Sequence, residues 1–102
     1  MGAVSVEKEI RTAVDTGEVI MGERETLKAV KAKGVKMAIY ASNCKEKLRN
    51  DLKKHTDIAG VPAYKFDGSS IELGAVCGRP HLISMLGIVD SGDSDVLKLG
   101  KG

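Results

Sequence analysis

The stretch Val19-Ile20-Met21-Gly22-Glu23-Arg24-Glu25-Thr26-Leu27-Lys28-Ala29-Val30-Lys31 changes its period at one residue. Up to Met21 it is a short apolar run of the kind that forms a strand. Beyond Gly22 the inward positions are Leu27 and Val30, while Arg24, Lys28 and Lys31 recur at i, i+4 and i+7, as on one exposed stripe of a helix. Gly22 lets the backbone turn tightly from strand to helix and lets a ligand come close. The first amides of such a helix point outward without partners, and the helix dipole favours a phosphate there. Amides and a basic stripe together make a seat for a nucleic-acid backbone. A plainer reading stays open at this point: Glu25 and Lys28 trade surface charge, and Gly22 is only a cap.

Outward from this junction, helices and strands alternate. Upstream, Val6, Ile10 and Ala13 mark an amphipathic helix that Gly17 ends. Downstream, Lys33-Gly34 closes the second helix, and Lys36–Ala41 reads as a strand buried on both faces. Leu48, Leu52, His55 and Ala59 give the inner face of a third helix, with His55 a core or boundary residue; Asn43 and Glu46 have the spacing of a capping box at its start, and Gly60 ends it. Pro62 stands at the edge of a strand Ala63–Phe66, and Asp67-Gly68 turns the chain. Ser69 and Glu72 frame a second capping box, opening a short helix that Gly78 stops. A last strand runs from Leu82 through Val89, with Gly87 marking a bulge or a close approach. The tail is acidic from Asp90 and then apolar at Val96, Leu97 and Leu99, as helix or strand. Alternation of this kind predicts an α/β fold, a sheet covered by helices on both faces, with functional loops at strand ends and helix starts.

The totals suit one domain, residues 1–102, with 42% hydrophobic and 29% charged residues and two prolines. No apolar run reaches the roughly 20 residues of a membrane span. Met1-Gly2-Ala3-Val4 has neither the basic region nor the apolar core of a secretory signal, and Val6 stands where myristoylation at Gly2 wants Ser or Thr. A cytoplasmic protein without a membrane partner is expected. Net charge is only +2, but it is polarised: between Glu23 and Lys54, ten basic residues face four acidic ones, leaving the rest of the chain at −4. A positive region on a nearly neutral chain suits an anionic partner, although a solvated, Lys-rich helix face fits the same composition.

A second group is Gly74-Ala75-Val76-Cys77-Gly78-Arg79-Pro80-His81. Its small residues permit close packing, and its turn projects a guanidinium and an imidazole, both able to stack on an unpaired base. A plain surface turn is the alternative. Cys44, Cys77, His81, Asp90, Asp93 and Asp95 are of the types that supply a nucleophile, a base and an orienting acid. Their spacing shows no convergence, and no phosphate-binding fingerprint, serine elbow or metal cluster is present, so no enzyme and no cofactor are expected. The two cysteines lie in no metal-type spacing and read as buried small hydrophobes or incidental thiols. One Phe, two Tyr and no Trp argue against an aromatic single-strand platform.

Taken together, the Gly22–Lys28 helix start, the Ile71–Arg79 segment and the order of elements resemble the kink-turn-binding ribosomal proteins across essentially the whole chain. Asp15-Thr16-Gly17 through Met21-Gly22, Ala41-Ser42-Asn43-Cys44 and Asp90–Asp95 fit one large-subunit member of archaea and eukaryotes, and the length looks archaeal. The resemblance implies a three-layer α/β/α sandwich with a small mixed four-stranded sheet. It implies binding to RNA helices sharply bent at a short bulge beside tandem sheared G·A pairs. Gly22, Arg24, Glu25 and Lys28 would hold the G·A region, while Lys31 is a candidate contact from the basic stripe alone. Asn43 would assist, and Gly78, Arg79, Pro80 and His81 would receive an extruded nucleotide. The family often has Asn before Glu in the helix start; Arg24 stands there instead, which fits a more electrostatic contact. The expected role is a non-catalytic constituent of the large ribosomal subunit, a monomer when free, beside ribosomal RNA and neighbouring ribosomal proteins. The alternatives are a kink-turn protein of a guide-RNA or ribonuclease particle, and an α/β ligand-binding domain or enzyme.

Overall fold

A computed structural model describes residues 6–94 and 96–97. Its elements run α1 (Val6–Thr16), β1 (Glu18–Met21), α2 (Glu23–Lys31), β2 (Met37–Ala41), α3 (Glu46–Ala59), β3 (Ala63–Phe66), α4 (Ser70–Val76) and β4 (Met85–Asp90). The strands lie in the order β1-β4-β2-β3. β4 is antiparallel to both its neighbours, whereas β2 and β3 are parallel, so the sheet is mixed.

Side-chain alternation along the two central strands explains the layers. On β2, Met37, Ile39 and Ala41 join Leu86 and Ile88 of β4 on one face, where Ile10 and Ala13 of α1 and Leu73 of α4 cover them. Ala38, Tyr40 and Met85 face the other way, beneath Val30 of α2 and Leu52 of α3. Every residue of β2 is buried, which is why its sequence is an unbroken apolar run. The expected α/β sandwich with a four-stranded mixed sheet is therefore the observed one.

Several local readings shift. The last strand begins at Met85 rather than Leu82, because residues 79–84 run back along α4 before they enter the sheet: the Ile83 amide donates to the Ser70 carbonyl at 3.1 Å. Gly87 is a close approach and not a bulge. A Cβ there would meet Val35 Cγ1 at 2.9 Å, and the register irregularity lies instead between Glu18 and Val19. Thr26, which apolar periodicity passes over, is fully buried on the inner face of α2, while Leu27 is only half-buried. The tail reading holds one short 3₁₀ turn at Val96-Leu97, with Val96 buried; Met1–Val4, Asp95 and Leu99 lie outside the described residues.

Asn43 does not cap α3. That helix starts from Lys45 without a side-chain cap, and the Asn43 side chain is spent on α4 instead: its Oδ1 accepts from the Ser70 amide at 2.9 Å and its Nδ2 donates to Ser70 Oγ at 3.4 Å. The second box holds in its serine half, since Ser69 Oγ accepts from the Glu72 amide at 3.3 Å.

At the end of α2 the left-handed residue is Lys33, at φ 59°, and not Gly34. The amides of Lys33 and Gly34 donate to the carbonyls of Val30 and Ala29 at 2.9 and 2.8 Å, a Schellman ending with lysine in the glycine position. A Cβ in that region is strained, so Lys33→Gly is expected to raise stability by about 0.5–1 kcal/mol after its larger unfolded-state entropy is set against the relief. Urea unfolding measures this, and a lowered midpoint would refute it.

Candidate nucleic-acid interface

β1, β2 and β3 all end on the side of the sheet where β4 begins, and the α2 start and the Asn43 loop lie at that end. Gly22 has φ 107° and ψ 150°, a conformation open to glycine alone, and nothing stands within 4 Å of where its Cβ would be. The space before α2 is therefore open. The Gly22 amide donates to the Met85 carbonyl at 2.9 Å, tying the helix start to the head of β4. The first turn of the helical ladder closes from the Thr26 amide to the Gly22 carbonyl at 3.0 Å, which leaves the amides of Glu23, Arg24 and Glu25 ahead of it. No side chain caps them. Arg24, Glu25, Lys28 and Lys31 are all exposed, as the stripe requires.

The Gly78–His81 loop is built by α4. Gly78, at φ 74°, donates its amide to the Ala75 carbonyl at 3.0 Å, and the Arg79 amide donates to the Gly74 carbonyl at 2.9 Å, a second Schellman ending. The returning chain then presses on the helix so closely that a Cβ at Gly74 would run into the His81 carbonyl oxygen. Gly78, Arg79, Pro80 and His81 are exposed. With Ile71, Ala75 and Leu82, the last three line an open concavity of about 310 Å³. Ile71 and Leu82 are 68% and 63% exposed, which puts apolar surface beside the two cationic or stacking side chains.

Asn43 follows β2 at the same end of the sheet as Gly22. Ser42 donates its amide and its hydroxyl to the Gly68 carbonyl, each at 2.8 Å, and Asn43 bonds Ser70, so the β2–α3 loop is stitched to the β3–α4 loop. Its side-chain amide is engaged in that stitch. α3 also starts here. Lys45, Lys47 and Arg49, counted in the charge polarity but not among the expected contacts, therefore stand at the same end as Arg24 and Lys28. α2 and α3 pack side by side on one face of the sheet, with Cys44 in the core they share.

The candidate nucleophiles do not converge. Cys44 packs on the α2/α3 face and Cys77 on the α1/α4 face, both free and buried. Among the described residues, no three His, Cys, Asp or Glu side chains are placed to hold a metal ion, and no helix is long and apolar enough to cross a membrane. Burial raises the Cys44 thiol above its ordinary range, with Glu23 adding to the shift and Arg49 opposing it. Burial pushes Cys77 up to about 11, against the pull of Arg79 and Arg11. Because the thiolate is the reactive form, both thiols should resist Ellman's reagent in the folded protein at pH 8 and react on unfolding. For Cys77 the folded state holds the proton more tightly, so its contribution is constant below pH 9.0 and stability falls as pH climbs from there towards 11. Rapid labelling of native protein would overturn this account.

Comparison with known proteins defines the class. Residues 4–98 match the family described as ribosomal protein L7Ae/L30e/S12e/Gadd45, and the chain belongs to that family. Among its relatives is the large ribosomal subunit protein eL30 of Methanopyrus kandleri, 39% identical over 90% of this chain and 84% of that one. The proteins of the same name from Pyrobaculum calidifontis and Pyrobaculum neutrophilum are 44% and 45% identical, each over 94% of this chain and 95% of theirs. The resemblance to an archaeal large-subunit member is thus borne out. The non-enzymatic reading stands on these relatives, which are named as ribosomal proteins. A solved structure of a Bacillus halodurans protein of unknown function superposes with a TM-score of 0.80 over 94% of this chain and 95% of that chain, at 21% identity, a likeness of fold.

Proposed function

We propose that this chain is a non-catalytic constituent of the large ribosomal subunit, a single RNA-binding domain that holds a kink-turn of ribosomal RNA. What supports the reading most is the open, uncapped start of α2 with its exposed basic stripe, in a chain whose relatives are named eL30. In this reading the α2 amides and Glu25 face the base edges of the G·A region, since a carboxylate accepts from base amino groups. Arg24, Lys28 and Lys31 take phosphates on either side. The Gly78–His81 loop receives the extruded nucleotide against Ile71 and Leu82, by stacking on Arg79 or His81. The protein is a monomer when free, and meets ribosomal RNA and neighbouring ribosomal proteins in the cytoplasmic ribosome.

The test is a gel shift against a hairpin carrying a short bulge beside tandem sheared G·A pairs, with an uninterrupted duplex of equal length as competitor. The hairpin should win clearly, and equal affinity for the two would sink the reading. Lys28→Ala should weaken binding across RNAs and reduce the salt slope by about one unit.

A further inference from the structure

Arg11 belongs to no part of the site so far described, yet it reaches it. The residue sits on the exposed side of α1, and Asp15, one turn later, holds its Nε at 3.1 and 3.2 Å from the two carboxylate oxygens. That pairing uses Nε and leaves both Nη groups for other partners. Its face lies against the loop: a Cβ on Gly78 would lie 2.8 Å from Arg11 Nη1, 3.1 Å from Cζ and 3.3 Å from Nη2, so the guanidinium stacks over the glycine and its Nη edge is left to the solvent side. Both Arg11 and Arg79 are close enough to Cys77 to act on its thiol, so two guanidinium groups flank the same turn. Gly78 therefore does two things. It closes α4 in a left-handed conformation, and by lacking a side chain it leaves the room that Arg11 occupies.

We propose that Arg11 is an additional RNA-phosphate contact, positioned by Asp15 beside Gly78, so that the bound RNA extends across the start of the loop onto α1. The inference rests on the RNA-binding reading above and adds a residue to it. Asp15 offsets the charge of the pair as seen from a distance, so long-range attraction gains little. What the pair offers is an oriented fork of N–H donors half-exposed at the loop, the geometry that suits a phosphate. A phosphate next to the extruded nucleotide is the group within its reach.

The experiment is titration of the bulged hairpin over a range of KCl concentrations with the wild type, Arg11→Ala, Arg11→Lys and, as reference, Lys28→Ala. Arg11→Ala should lose about 3- to 10-fold in affinity and about one unit of salt slope, as one lost phosphate contact requires. Arg11→Lys should restore the slope and only part of the affinity, because an ammonium keeps the charge without the fork. A melting temperature close to that of the wild type excludes a folding defect. If Arg11→Ala leaves the slope unchanged, or lowers affinity without changing it, Arg11 is only packing against Gly78 and the inference is overturned. Loss of hairpin preference in the wild type instead overturns the kink-turn reading, while the slope of whatever RNA is bound still decides on Arg11.

Discussion

Gly74→Ala is expected to destabilise the protein by about 2–4 kcal/mol, although the same exchange inside an exposed helix usually stabilises by up to 1 kcal/mol. The sign reverses because the new methyl points at the His81 carbonyl oxygen, which is backbone and cannot swing aside as a side-chain end would. The returning segment must lift from α4, and the bonds from Arg79 to Gly74 and from Ile83 to Ser70 weaken with it. At roughly 4–8 °C per kcal/mol for a domain of this size, thermal melting should move by well over 5 °C. RNA affinity measured well below the new midpoint should fall too, since the displaced segment carries Arg79, Pro80 and His81. Gly34→Ala is the control: its nearest neighbour is Ala29 carbonyl oxygen at 3.6 Å, an ordinary contact, and neither melting nor binding should suffer. An unchanged melt for Gly74→Ala would show that the loop does not press on α4.

The second large effect lies at the other end of the sheet. Gly17 joins α1 to β1, and a Cβ there would meet the Asp90 carbonyl oxygen and the Gly92 amide nitrogen, the latter at 2.8 Å. The Asp90–Asp93 turn is anchored at that point, with Thr16 Oγ accepting from the Asp93 amide at 2.9 Å and Asp90 Oδ1 from the Gly92 amide at 2.9 Å. Gly17→Ala must push two backbone segments apart, at a cost of about 3 kcal/mol or more. Because the joint lies at the opposite end of β1 from Gly22, the molecules that remain folded should keep their RNA affinity. The two glycine variants thus separate stability from binding. Equal affinity losses in both would contradict the location assigned to the site.

The contrast between what the sequence foretold and what it did not has physical causes. β2 was legible because a strand buried on both faces has one kind of sequence, and α1 because Ile10 and Ala13 face the core at helical spacing. The α2 start was legible from Gly22, whose φ admits no other residue comfortably. Asn43 was misread because its spacing to Glu46 satisfies a local motif, while its actual partner Ser70 is 27 residues away, and local patterns carry no information about that. Thr26 escaped because it is polar by composition yet packs its methyl beside Gly87, with its hydroxyl turned to the Ile20 carbonyl at 3.5 Å. Arg11 escaped for the same reason as Asn43: its neighbour Gly78 lies 67 positions downstream. In each case the missed feature is a contact across the chain, and the found one is a period within it.

The strand order β1-β4-β2-β3 has a consequence for the life of the chain as it is made. The strand in the middle, between β1 and β2, is the last of the four to be synthesised. Until Met85–Asp90 emerges, β1 has no partner in the sheet, and the Gly22 amide has no Met85 carbonyl to fix the angle at which α2 leaves it. Closing the sheet demands contacts of long sequence separation, which are slow to form because the loop entropy is lost before the contacts reward it. The surface proposed to hold RNA is therefore assembled late. A nascent chain carries the basic helix early, but the surface against which RNA would be held is completed only when the final strand slots between the others.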